Sequence, residues 1–214
     1  MENANPTGFN TSSVAEGENN NSAVCGIVQC RGDLGSSACR QCASTAKEII
    51  VDQCYNTSGV IHLHDCFLRY DNNGIYDYLE NMQITPSEVL CNSGKSSQPQ
   101  MFKKTVKVLL SNIITEALRT PKFFAANLVG VPSNLTGHIY GLAQCWGHLS
   151  QTNCRSCLTS TLEYIFLCQT GALGAQIARD RCHLRYEVFE FFNTSVLSST
   201  PQSESPRLPG IFLI

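Results

Sequence analysis

Apolar residues recur at helical spacing in MFKKTVKVLLSNIITEAL, where Phe102, Val106, Leu109, Ile113 and Ala117 form one stripe. The stripe predicts an amphipathic helix with one face on a core. A second helix is predicted over RQCASTAKEIIVDQ, with Ala43, Ala46, Ile49 and Ile50 on a face, and a third over RSCLTSTLEYIFL. Elsewhere the period shortens. Ala23 to Cys30 and His138 to Cys145 read as strands, and VIHLHDCFLRYD and QIARDRCHLRYEVFEFF, rich in β-branched and aromatic residues with partial alternation, each read as a closing strand. Residues 1–22, rich in Asn, Ser and Gly, read as a disordered tail. The proline- and serine-rich stretch SSTPQSESPRLPG marks 195–214 as a flexible tail.

The pattern repeats. Cys30, Cys39 and Cys42 form C-x8-C-x2-C in CRGDLGSSACRQC, and Cys145, Cys154 and Cys157 repeat it 115 residues later in CWGHLSQTNCRSC. Gly26 in GIVQC matches Gly141 in GLAQC, Cys54 matches Cys168, and Cys66 in CFLRYD matches Cys182 in CHLRYE. The second copy carries Cys91 and the Phe102 to Ala117 helix upstream. Their equivalents in the first copy would fall before residue 1, so the first copy reads as truncated, without its N-terminal helix. Residues 23–82 are therefore the first repeat and 83–194 the second, with Gln83 to Cys91, which contains Pro86, as the boundary. The predicted class is α+β: two tandem repeats, each an antiparallel sheet packed by helices.

Composition narrows the function. Twelve cysteines in 214 residues, beside a 43% apolar fraction, describe a globular chain with staples. A net charge of −2 without a basic stripe excludes nucleic acid as a partner. No apolar run approaches the ~20 residues of a membrane span. There is no nucleophile elbow, Gly-rich phosphate loop or H-E-x-x-H, so neither an enzyme nor a cofactor is expected. Cysteine density and five N-x-S/T sequons, at Asn10, Asn20, Asn56, Asn134 and Asn193, point to an extracellular glycoprotein, secreted, apoplastic or at the cell surface. MENANPTGF shows no charged start followed by an apolar run, so no signal peptide is recognisable, and the expectation is a chain missing its N-terminus.

The triplet, a following helix, a further cysteine and C-x-L-R-Y on a strand resemble the plant ginkbilobin-homologous repeat. This is also called the stress-antifungal domain, and it occurs in cysteine-rich repeat secretory proteins and in ectodomains of receptor-like kinases. The resemblance implies a sheet with two helices and the pairs Cys30–Cys39, Cys42–Cys66, Cys145–Cys154, Cys157–Cys182 and Cys91–Cys168. Spacing alone leaves 15 pairings open to six cysteines. Cys54 has no counterpart of Cys91, and Cys25 stands where the second copy has Tyr140. A Cys25–Cys54 bridge, two free thiols, or an intermolecular bridge giving a dimer are the alternatives. The resemblance also implies a mannose site at Asn92, Gln176 and Glu187, with Gln176 in place of the family's Arg, which weakens it. The first copy offers only Val60 and Asp71 there.

Rival chemistry remains open. The C-x-x-C pairs Cys39/Cys42 and Cys154/Cys157 also suit zinc, with His148 or His183 joining, or redox exchange. No metal is expected. His62 and His64, two apart on a strand, read as solvated surface residues, and Trp146 as a packing residue. The expected function is non-enzymatic recognition or signalling at the plant cell surface in defence or stress, with a cell-surface protein or glycan as partner. The alternatives are a mannose-binding, lectin-like antifungal protein and an intracellular zinc or redox protein.

Overall fold

The computed structural model describes residues 8–15, 23–53, 58–71, 89–131, 137–179 and 181–199. The first copy contributes β1 (Phe9–Ala15), β2 (Ala23–Cys30), α1 (Ser36–Gln53), β3 (Ser58–His62) and β4 (Cys66–Asp71). They form an antiparallel sheet in the order β1-β2-β4-β3 with α1 packed on one face. The second contributes β5 (Leu90–Cys91), α2 (Pro99–Ala117), β6 (Phe124–Gly130), β7 (His138–Cys145), α3 (Gln151–Tyr164), β8 (Ala175–Ala178) and β9 (Cys182–Glu187). Its order is β5-β8-β9-β7-β6. The class is α+β, as the sequence pattern predicts.

Local chemistry sets the helices. Pro99 opens α2, where a missing N–H costs nothing. The Ser150 side chain caps α3 by accepting from the Asn153 N–H at 3.2 Å. The predicted α2 stripe, with Leu110 and Ile114 added, is buried, and it forms with α3, β7 and β9 the main core. The first copy has much less: Cys30, Cys39, Ala46, Ile50, Cys66 and Leu68. Half of that cluster is cystine sulfur, so this copy leans on its bridges.

Three expectations need correction. Phe9–Ala15 is a strand, not a disordered tail, and the rest of 1–22 except Gly8 lies outside the described residues. The cause is register: Phe9 pairs with Gln29 as Phe124 pairs with Gln144, so FNTSSVA is the counterpart of FAANLVG at the same offset. Each closing segment is two strands, because the chain turns back after His62 and Ala178; Leu63 N–H donates to Cys66 O, and Arg179 N–H to Cys182 O, both at 2.8 Å. Order also continues past residue 194 in a 3-10 turn, Thr194–Ser199, where Leu197 packs against the Ala126, Leu142, Phe191 and Phe192 cluster. Residues 72–88 and 200–214 lie outside the described residues.

The helix-free faces of the two sheets meet. Trp146 stacks on Phe67 at 4.2 Å between ring centroids, and with Ile27 they form a cluster shared by both copies. Gly147 N–H donates to Gln29 Oε1 at 2.9 Å, and Gly32 N–H to Gln144 Oε1 at 3.2 Å. Gly32 lies against the Phe124 ring and Gly147 against Phe9, leaving no room at either for a side chain. Each contact is made twice, because Gln29, Gly32 and Phe9 stand 115 residues before Gln144, Gly147 and Phe124.

Candidate functional site

Between the facing sheets lies a cleft of about 290 Å³. Its floor comes from β8 and β9, where alternation puts Ala175, Ile177, Cys182, Leu184 and Tyr186 into the helix-side core and turns Gln176, His183 and Arg185 to the other face. Its other wall comes from Arg31 and the β3–β4 turn, with His62, His64 and Asp65. Trp146 closes one side. Arg31 occupies in the first copy the position that Trp146 occupies in the second.

The charges in the cleft are matched. Arg31 grips Asp33 through Nε at 2.6 Å and Nη2 at 3.0 Å, and reaches Asp65 at 2.8 Å. Asp33 Oδ2 in turn accepts from the Asn193 N–H at 2.8 Å, tying the second copy's C-terminal segment to the first. Arg185 donates to Glu187 Oε1 at 3.2 and 3.1 Å, and to His64 Nδ1 at 2.8 Å. Since a guanidinium only donates, His64 accepts at Nδ1 and donates from Nε2 to Phe191 O at 3.2 Å, which makes its ring neutral. Burial, then the Arg31 and Arg185 charges, lower its pKa, against the pull of Asp65. Burial above all, then its histidine and arginine neighbours, push His183 down to about 3. Burial and Arg181 take His148, outside the cleft against Phe9, down to about 4.

Of the residues named for a sugar site, two converge. Gln176 pairs across the ladder with Arg185, and Arg185 holds Glu187 on the same face. The second Glu187 oxygen, Oε2, is buried without a hydrogen-bond partner. Asn92 bonds within its own turn: its Oδ1 accepts from Gly94 N–H at 2.9 Å, while its own N–H donates at 2.8 Å to the O of Gly174, a residue that lies against the Glu187 carboxylate. In the first copy Val60 pairs with Arg69, and Arg69 holds Asp71 at 3.3 Å, the same arrangement without the amide. His62 and His64 both line the cleft, because the turn after β3 folds them against the second copy; His62 is half-buried, its ring tilted against Phe67 at 4.7 Å, whereas His64 stays exposed to solvent at the cleft's rim, as its sequence reading has it.

Bridges join Cys30 to Cys39, Cys42 to Cys66, Cys91 to Cys168, Cys145 to Cys154 and Cys157 to Cys182. Neither C-x-x-C is paired within itself, and no thiolate of either remains for zinc. No cluster of three or more metal-ligating side chains occurs among the described residues. Cys25 is free and half-buried on β2, while Cys54 lies outside the described residues. Asn10 is half-buried on β1 and Asn193 is exposed; Asn20, Asn56 and Asn134 lie outside the described residues. Sequence reasoning missed the paired glutamines, although GIVQC and GLAQC both display one before the first triplet cysteine.

A tandem α+β unit, stapled by five bridges among the described residues and locked face to face around a polar cleft, defines a disulfide-stapled tandem-repeat scaffold. A model of the family described as salt stress response/antifungal matches residues 1–73 and 90–188, and the chain belongs to that family. It is 29% identical over 192 residues to cysteine-rich repeat secretory protein 38 of Arabidopsis thaliana, covering 88% of this chain and 73% of that one. It is 28% identical over 201 residues to cysteine-rich receptor-like protein kinase 25 of the same plant, covering 92% of this chain. The chain spans only 29% of that kinase's length. The crystal structure of the tandem DUF26 ectodomain of the Arabidopsis thaliana cysteine-rich receptor-like protein PDLP8 superposes with a TM-score of 0.66 at 26% identity, covering 85% of this chain and 81% of that chain.

Proposed function

We propose that this chain is a non-enzymatic extracellular recognition module of the plant cell surface, acting in defence or stress response, that binds a glycan residue in the cleft between its copies. The observation that carries the reading is that the Gln176 and His183 side chains line the cleft yet make no hydrogen bond among the described residues. A carboxamide and a neutral imidazole each offer both a donor and an acceptor, as a sugar hydroxyl does. The cleft's cations are already neutralised by Asp33, Asp65 and Glu187, so a neutral polyhydroxylated ligand suits it better than an anion. About 290 Å³ is near the lower bound of small-molecule sites, the scale of one or two sugar rings.

The mannose reading is kept as a narrower form of this one. Arg185, opposite Gln176 and bonded to Glu187, supports it by setting a guanidinium beside the amide. Family membership and the ectodomain likeness support the extracellular setting.

The test is a titration of the disulfide-intact protein against neutral mono- and oligosaccharides, mannose included, by calorimetry. Binding that is lost in Gln176→Leu supports the cleft as the site. Binding indifferent to that substitution, or none across the series, overturns it.

A further inference from the structure

Among the described residues β6 is an edge strand of the second sheet. Cys145 N–H donates to Phe123 O at 2.9 Å, which sets the phase of the ladder: the backbone groups of Phe124, Ala126, Leu128 and Gly130 face away from β7. Thr120 satisfies the first of these, its hydroxyl accepting from Phe124 N–H at 3.1 Å and donating to Phe124 O at 3.0 Å. The Leu128 N–H is held only by its neighbour, Asn127 Oδ1, at 2.8 Å. Among the described residues, nothing covers the outward groups of Ala126 and Gly130 in this way.

Beside this edge, between β6 and α2, runs a groove of about 370 Å³ lined by Lys104, Thr105, Val108, Leu109, Leu128 and Val129. Val108 is 55% exposed, a large apolar side chain left in water on the wall of the groove. The surroundings are basic. Residues 89–131 carry Lys95, Lys103, Lys104, Lys107, Arg119 and Lys122 against one acid, Glu116, within a chain of net charge −2. Lys104 and Lys107 are exposed on α2.

We infer that this edge and groove dock an extended acidic peptide segment of a partner protein. It adds to β6 as a further strand, sets an apolar side chain against Val108 and Val129, and places carboxylates by Lys104 and Lys107. Outward N–H and C=O groups at strand spacing are matched by another backbone, and not by a polysaccharide or a lipid surface. A second copy of this chain joined edge to edge would bring two lysine-rich helices together, so like charge disfavours self-pairing. The surface is separate from the cleft between the copies.

The experiment uses the disulfide-intact chain and two capped seven-residue probes, one alternating Glu with Val and one alternating Lys with Val. The acidic probe is expected to bind, more weakly as salt rises, and to slow amide exchange at Ala126, Leu128 and Gly130 as read by NMR. Lys104→Glu combined with Lys107→Glu is expected to weaken it about tenfold and to reverse the preference between probes. Gln176→Leu should leave peptide binding unchanged, which separates this surface from the cleft. Absence of binding, equal binding of both probes, protection confined to other strands, or binding of only phosphatidylserine vesicles or polygalacturonate would overturn the inference.

Discussion

Gln29 and Gln144 make the same bond in opposite directions: each side-chain oxygen accepts from the backbone N–H of the glycine two residues past the other copy's first triplet cysteine, at 2.9 and 3.2 Å. Gln144 also donates from Nε2 to Cys30 O at 3.0 Å, as Gln29 does within its own copy. Both glutamines are almost fully buried, so each bond is made where water cannot replace it.

Gln144→Leu is therefore expected to strand the Gly32 N–H and to destabilise the protein by about 1–3 kcal/mol. Denaturant unfolding measures it. A change below about 0.5 kcal/mol would mean that the clamp contributes little, as for an ordinary surface substitution.

The close approach of Gly32 to Phe124 gives a cleaner test, because the clash can be relieved. Gly32→Ala should cost about 1–3 kcal/mol through overpacking. Combining it with Phe124→Ala should cost less than the sum of the two single changes, whereas additive costs would place the two residues out of contact.

Acid should loosen the junction. His64, His148 and His183 have pKa values lowered by folding, so the unfolded chain binds more protons below about pH 6.5, and stability falls as pH drops through that value. For His148 and His183 the loss continues to about pH 4 and 3. His148 and His183 contribute at most about 1.4 kcal/mol per pH unit over their windows, and exposed His64 much less. Unfolding free energy measured from pH 7 to pH 4 should decline, and His148→Phe should flatten the decline; a flat profile in the unsubstituted protein would contradict the lowered pKa values of these rings.

Reduction should act on both copies. The Cys91–Cys168 bridge closes a loop with a sequence separation of 77, worth about 4–5 kcal/mol in chain entropy, and the Cys145–Cys154 bridge about 3. The first copy, with its small core, is expected to unfold at lower reductant concentration. Trp146 is the only tryptophan and stacks on Phe67 of the first copy, so its fluorescence should change with that first step. A melting temperature unmoved by reductant would refute the dependence.

The repeat, the α2 stripe and the strands ending at Cys30 and Cys145 were legible in the sequence because each is a local period or spacing. Strand β1 was not, because FNTSSVA is mostly polar and only Phe9 enters a cluster; its partner is a ladder, and its clue was register against FAANLVG. The turns at Leu63 to Asp65 and after Ala178 were hidden inside runs with strand-forming composition. The cleft is written in no single stretch. His64 meets Arg185 only because two sheets face each other, and 121 residues separate the pair along the chain.

Arg31 and Trp146 occupy equivalent positions in the two copies, one a guanidinium gripped by Asp33 and the other an indole on Phe67. Two separate single-copy chains meeting in the same way would present identical side chains at both ends of their junction, and a bound molecule could sit there in either direction. Duplication within one chain lets the ends diverge. The junction has a head and a tail, and whatever occupies it can be read in one direction only.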